Sequence, residues 1–375
     1  MSPRSLFLLL LLSRAASDSL KLSLVSGTTC LDGTLAGYYY TPPPLNTTKW
    51  VVFFEGGGAC YSQSDCAARA QTALGSSKQW PSTFEQDDNV LSSDAKVNPM
   101  FFDAHHVYIP YCTGDVHSGT RSSALNSSWP FYFSGHVNVG KIVHALSEAH
   151  ASALGAAETL LVSGSSAGGI GAFLNVDYLA SLLPASVTVR AAPQGGWFFP
   201  PVSIFPAWSN GQNVPIWSTF GFAYTELYAS YAPPACVAAH NGSYCGSVDN
   251  YSPFVKSPCF VGENLVDSQQ VFAELLAPPT SPQLPAFKTY YHQRMNASLY
   301  AKAASRAGWG VWAPACFDHT DDIKLQATNA TVVSGVSYRD ALTQWISGVP
   351  TVLIDSCADP VPCNPSCPPV KLSAR

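Results

Sequence analysis

A serine stands at the centre of Gly164-Ser165-Ser166-Ala167-Gly168, and its neighbours decide what it can do. The apolar run Thr159-Leu160-Leu161-Val162 precedes it and Gly169-Ile170-Gly171-Ala172-Phe173-Leu174 follows. Ser166 is therefore expected where a buried strand turns sharply into a helix, the nucleophile-elbow setting of ester-cleaving serine hydrolases. A hydroxyl attacks an acyl carbonyl only when a base takes its proton and a third group orients that base. Three histidines follow Ser166, namely His240, His292 and His319, and in the order nucleophile, acid, base the histidine comes late. His292 falls inside the helical pattern Tyr290-Tyr291-His292-Gln293-Arg294, and His240 precedes the glycan acceptor Asn241, so both read as solvent-facing. His319 lies in a polar stretch, Asp318-His319-Thr320-Asp321-Asp322, behind the aromatic and cysteine-bearing Trp312 to Phe317. A loop held rigid beside a site has that composition.

The acid is sought between nucleophile and base, which leaves Asp177, Asp249 and Asp267, with Asp318 beside the base. Asp267 opens the predicted helix Asp267–Leu276, where backbone donors would hold its carboxylate; an ordinary helix N-cap explains it equally well. Donors are also needed for the oxygen that gains charge. Glu55-Gly56-Gly57-Gly58-Ala59-Cys60 directly follows the apolar run Val51–Phe54, so Gly57 and Gly58 can turn N–H groups toward the elbow and, with Ala167, form an oxyanion hole. The other reading is a tight turn with no chemistry. A phosphate-cradling loop is disfavoured, because neither Lys-Ser nor Lys-Thr follows the glycines.

Largely apolar runs at Val51–Phe54, His106–Pro110, Thr159–Val162 and Val187–Ala191 read as buried strands, and Thr351–Ile354 as a last strand or its remnant. Helical patterns alternate with them at Asp65–Leu74, Gly140–Leu154, Asp267–Leu276 and Pro285–Ser305. Buried strands alternating with helices imply an α/β fold, a mostly parallel sheet covered on both faces. The stretch Pro200–Pro258 breaks the rhythm. It is rich in aromatic residues, including Trp208, Trp217, Tyr224, Tyr228 and Tyr231, and suits either a cap over the site or ordinary packing.

Residues 1–17 have the layout of a signal peptide: Arg4, the apolar Leu6–Leu12, then Ser13-Arg14-Ala15-Ala16-Ser17. No linker divides residues 18–375, which are expected to form one domain. Export agrees with eleven cysteines and with asparagines in acceptor context at Asn46, Asn126, Asn241, Asn296 and Asn329. Cys60 with Cys66 could close a local loop, as could members of the tail set Cys357, Cys363 and Cys367, and the odd total leaves one thiol over. A zinc site in that tail is disfavoured, since oxidation competes and no histidine lies near. With 19 basic against 24 acidic residues and no basic cluster, a nucleic-acid partner is disfavoured. Beyond the leader no run of about 18 apolar residues appears, so no transmembrane segment is expected.

The chain resembles the pectin acetylesterase family, which also includes the secreted animal carboxylesterase Notum. The resemblance is carried by Cys30–Gly33, Trp50–Cys60, Leu74–Lys78, Asn98-Pro99 with Phe101-Phe102, Tyr111–Gly114, Phe131–Gly135, Gly164–Gly169, Asp267–Gln270, Ala315–His319 and Cys363–Cys367. These stretches are collinear over nearly the whole chain. The resemblance implies a secreted serine carboxylesterase with an α/β-hydrolase core, in which Ser166 is nucleophile, Asp267 acid and His319 base, with Gly57, Gly58 and Ala167 as oxyanion donors. It implies an O-acetylated polysaccharide such as pectin as substrate, no metal or organic cofactor, and no obligate protein partner. Two alternatives stand beside it: a Notum-like protein deacylase that removes a fatty acyl ester, and a glycan-binding protein without catalysis. One departure bears on the substrate: Ala59 stands where family members usually carry Trp after the glycine run.

Overall fold

Val51, Val52, Phe53 and Phe54 are all buried, though successive side chains of a strand point to opposite faces. Such a strand needs cover on both sides, and the computed structural model provides it. It describes residues 19–43, 46–85, 89–127, 129–198, 226–240, 242, 244–271, 284–325, 331–357 and 361–369. In chain order the strands are β1 (Leu20–Leu24), β2 (Gly37–Thr41), β3 (Lys49–Phe54), β4 (Thr83–Phe84), β5 (His105–Ile109), β6 (Thr159–Ser165), β7 (Thr188–Gln194), β8 (Phe260–Gly262), β9 (Gly310–Ala313), the hairpin pair β10 (Val332–Val333) and β11 (Val336–Ser337), and β12 (Val352–Ile354). Ten of them make one sheet, ordered β12-β9-β8-β7-β6-β3-β5-β2-β1-β4. From β12 to β5 every pairing is parallel; β2, β1 and β4 add an antiparallel edge.

Two helices that bear on the site are α1 (Gln63–Arg69) and α2 (Gly135–Ala149); α3 (Ala151–Gly155) is short, and α4 (Ala167–Leu182) leaves β6 directly. Val52, Phe54, Val107, Ile109 and Val162 pack with Val139, Ile142 and Val143 of α2 and Phe173 and Leu174 of α4. The opposite face, with Val51, Phe53, Tyr108 and Leu161, is covered by Tyr338, Leu342 and Trp345 of the helix Tyr338–Ile346. Alternate residues of β3 thus enter two cores, and the α/β expectation holds.

The helix read as Asp65–Leu74 is shorter and starts earlier, because Ser62 caps it by accepting the Asp65 N–H at 3.2 Å. That read as Gly140–Leu154 begins at Gly135 and divides at His150. Asp267–Leu276 is described only to Val271, as a single turn, and the rest lies outside the described residues. Disulfides join Cys30 to Cys112, Cys60 to Cys66, Cys236 to Cys245, Cys316 to Cys367, and Cys357 to Cys363. The tail set is therefore not purely local: Cys367 reaches back to the His319 loop, and the thiol left over is the buried Cys259. In the aromatic stretch, Trp208, Trp217 and Tyr224 lie outside the described residues. Tyr228 is buried with its hydroxyl donating to Cys60 O at 2.6 Å, and Tyr231 stacks on His136 at 3.9 Å. Both work as packing.

Candidate active site

The parallel register sets the carboxyl ends of β3, β6, β7, β8 and β9 side by side, with Phe54 beside Gly164, Ser165 beside Gln194, Gln194 beside Gly262 and Gly262 beside Trp312. The glycine loop, Ser166, Asp267 and His319 all leave that edge, the usual place for a ligand on an open α/β sheet. Ser166 occupies the turn from β6 into α4 at φ 59°, ψ −120°, a left-handed backbone that a non-glycine residue adopts only when its surroundings hold it. They do: its N–H donates to Gln194 O at 2.8 Å, and its carbonyl accepts the first helical N–H, from Ile170, at 3.0 Å. A Cβ on Gly168 would collide with the carbonyl oxygen of Phe54, so only glycine lets α4 start this close to β3.

The loop after β3 wraps the elbow, with Gly56 against the Ser166 Cβ. Gly57 (φ 139°) and Gly58 (φ 69°) take conformations that L side chains rarely adopt. Two neighbours orient this loop. His117 Nε2 meets Glu55 O at 2.9 Å, and because a carbonyl only accepts, Nε2 carries the hydrogen. Arg69, in the last turn of α1, donates from Nη2 to Gly57 O at 2.8 Å. The Gly57 carbonyl and the Gly58 N–H belong to one trans peptide plane and point in opposite directions. Holding the carbonyl therefore aims the N–H. Ala167 is the first residue of α4, whose N–H has no carbonyl one turn earlier to bond.

Asp267 and His319 come together from the loops after β8 and β9. Nδ1 of His319 lies 2.5 Å from Oδ2 of Asp267, which is fully buried; Oδ1 accepts the Gln270 N–H at 2.8 Å. Cε1 of the imidazole lies 3.2 Å from where a Cβ on Gly195 would stand, and Gly195 follows the residue that accepts the Ser166 N–H. The Nε2 of His319 is buried and, among the described residues, makes no hydrogen bond, to Ser166 or to any other. Asp318 carries part of the loop's support: its carbonyl accepts the Ser268 N–H at 3.0 Å and its carboxyl the Asp322 N–H at 3.1 Å. Asn264 Nδ2 reaches both His319 O, at 3.1 Å, and Asp322 Oδ1, at 2.8 Å.

The other candidates stay apart from this cluster. Asp177 accepts from the N–H groups of Lys256 and Ser257, and Asp249 accepts from Ser298. His292 is buried on the helix Leu284–Leu299, contrary to the solvent-facing reading, since its ring lies on the side that packs with Tyr291 and Met295. His240 is exposed and stacks on Tyr244 at 4.1 Å. Sequence reasoning missed Arg69, Glu263 and Asn264. For the last two a signal existed: Glu263-Asn264 interrupts an apolar stretch, between Phe260-Val261 and Leu265-Val266, and polar residues so placed are buried only with partners. Among the described residues no group of three or more His, Cys, Asp or Glu has metal-holding geometry.

The family profile described as pectinacetylesterase matches residues 13–368. The palmitoleoyl-protein carboxylesterase NOTUM of Homo sapiens is 30% identical over 95% of this chain and 74% of its own length. Pectin acetylesterase 5 of Arabidopsis thaliana is 26% identical over 94% of this chain and 85% of its own. A crystal structure of the Wnt deacylase Notum from Drosophila superposes with a TM-score of 0.80 at 29% identity, covering 93% of this chain and all of that one. With a profile that spans nearly the whole chain and relatives named as esterases on both sides, the chain belongs to the pectinacetylesterase family and is an α/β-hydrolase-like carboxylic ester hydrolase.

Proposed function

We propose that this protein is a secreted serine esterase that removes acetyl groups from an O-acetylated polysaccharide such as pectin, with Ser166, Asp267 and His319 as its triad. The observation that carries this reading is the 2.5 Å contact of His319 with the buried Asp267, beside a serine held at positive φ on the same sheet edge. Asp267 fixes the imidazole with Nδ1–H toward itself, leaving Nε2 to accept the Ser166 proton. Ser166 Oγ then bonds to the acetyl carbon, and the carbonyl oxygen takes the charge facing the N–H groups of Gly57, Gly58 and Ala167. The ester C–O bond breaks and the sugar hydroxyl leaves with the proton from His319. Water, losing a proton to the same nitrogen, attacks the acyl-enzyme and releases acetate.

Export of the chain supports the glycan reading. Residues 1–17, read as its leader, lie outside the described residues, as do Asn241 and Asn329. Five disulfides and the exposed acceptors Asn46 and Asn126 suit an oxidising, glycosylating route. Asn296 is half-buried on the helix Leu284–Leu299, with its side-chain oxygen enclosed. Among the described residues no helix is long and apolar enough to cross a membrane.

The test is a kinetic comparison of acetyl, butyryl, octanoyl and palmitoyl p-nitrophenyl esters, alongside acetate release from acetylated pectin. The expected result is a preference for acetyl and loss of turnover by about 10⁴-fold or more in Ser166→Ala. An optimum at eight carbons or longer assigns the protein to fatty-acyl removal instead. Polymer binding without turnover by the intact chain makes it a binding protein.

A further inference from the structure

Glu263 and Asp267 leave the carboxyl end of β8 four residues apart, both without solvent exposure, and their side chains share a hydrogen bond. Among the described residues neither is paired with a lysine or arginine. Two carboxyl groups in hydrogen-bond contact away from water must hold a proton between them. The surrounding bonds say where it sits. Asp267 receives N–H donors on both oxygens, from His319 Nδ1 and from Gln270 N. Asp267 takes the imidazole Nδ1 at 2.5 Å while Glu263 accepts only backbone amides, so the hydrogen sits on Glu263; burial and the Asp267 charge push the Glu263 carboxyl in the same direction, well above the usual range. Its two oxygens are themselves anchored, Oε2 by Trp197 N–H at 2.7 Å and Oε1 by Asn264 N–H at 3.2 Å.

We propose that Glu263 is a positioning residue of the esterase reaction, a neutral carboxylic acid that donates its O–H to Asp267 and so fixes the carboxylate plane facing His319. The inference rests on the assignment of Ser166, Asp267 and His319 as the triad. Rotation of the Asp267 plane would swing the imidazole that it holds, and with it the Nε2 that must meet Ser166. Trp197 belongs to the loop after β7 and Asn264 to the loop after β8, so the acid ties both loops to the triad through backbone N–H groups that do not titrate. The titratable groups around it are Asp267 and, through it, His319. Across Asn264 lies a second acid pair, Asp318 with Asp322, in which burial and the Asp318 charge keep the proton on Asp322.

Glu263→Gln keeps a donor toward Asp267 and does not titrate, though its amide nitrogen cannot accept and one of the two backbone N–H bonds is given up, whereas Glu263→Met fills similar volume and donates nothing. Steady-state kinetics on p-nitrophenyl acetate between pH 6 and 10, with circular dichroism to verify folding, separate the roles. We expect Glu263→Gln to keep kcat within about threefold at pH 7 and Glu263→Met to lose at least tenfold in kcat with KM unchanged within twofold. The wild-type alkaline limb should move upward by a unit or more in Glu263→Gln, a change that a space-filling role does not produce. A folded Glu263→Met with wild-type kcat overturns the proposal; should that variant not fold, coincident alkaline limbs for the wild type and Glu263→Gln overturn it alone. Wild-type turnover no higher than that of Ser166→Ala removes the triad assignment, and this proposal falls with it.

Discussion

Arg69 shows how a single residue off the reaction path can set the chemistry. Among the described residues its Nε and Nη1 are buried without hydrogen bonds and Nη2 donates to Gly57 O, with its guanidinium carbon 5.8 Å from the Tyr111 ring centroid. Two enclosed guanidinium nitrogens are costly to hold, so the bond from Nη2 merits a role. The peptide geometry supplies one: the bond fixes the direction of the Gly58 N–H, proposed above as an oxyanion donor. Arg69→Met keeps the apolar stem and removes the donor. Since loss of one oxyanion donor costs roughly 3 kcal/mol, about a hundredfold in rate, loosening that donor should lower kcat by about 10- to 100-fold with little change in KM. Equal falls in kcat for Arg69→Met and Arg69→Lys are not expected, because lysine retains one N–H that can reach the carbonyl. A wild-type kcat in Arg69→Met would show that the loop holds its shape unaided.

At the scale of elements, the site is the carboxyl edge of five parallel strands plus the close approach of α4 to β3. That approach depends on Gly168. Gly168→Ala sets a methyl against the Phe54 carbonyl, backbone that cannot swing away, so strand and helix must part. We expect a loss of about 2–4 kcal/mol in denaturant unfolding and esterase activity at least tenfold lower; an unchanged midpoint would refute the contact as drawn. The same geometry explains what was legible in the sequence. β3, β5 and β6 are buried on both faces and read as largely apolar runs, and the elbow announces itself by its glycines. β1, second from the edge, is mostly exposed, while β4 and β8 have two and three residues, too few for any period to show. Ser166, Asp267 and His319 could be proposed from chain order and local composition. Arg69 and Glu263 could not, because their partners at Gly57 and Trp197 are set by loop paths that no local pattern records.

Over the whole molecule, buried titratable groups make stability depend on pH in two opposite directions. His117 is 3% exposed, lies beneath the elbow and holds Glu55 O, and burial lowers its imidazole from 6.5 to about 4. Between those values the unfolded chain binds a proton that the folded chain refuses. Its contribution is therefore complete above pH 6.5 and is lost as the pH falls toward 4, up to about 3 kcal/mol at 1.36 kcal/mol per unit. Glu263 and Asp322 act in reverse, since burial raises both carboxyls and the folded chain keeps protons the unfolded one releases. Their contribution is complete below the ordinary carboxylate range and fades as the pH rises through the raised folded values. Together they predict a stability maximum with an acid flank set largely by histidine. His117→Gln should isolate that flank, because the glutamine amide can still donate to Glu55 O but takes up no proton. Urea unfolding with the disulfides intact should show wild-type stability falling from pH 7 to pH 4.5 more steeply than that of His117→Gln, by about 2 kcal/mol over the interval. Parallel slopes for the two proteins would mean that His117 is protonated in the folded chain, and the neutral imidazole assigned beside Glu55 O would have to be given up.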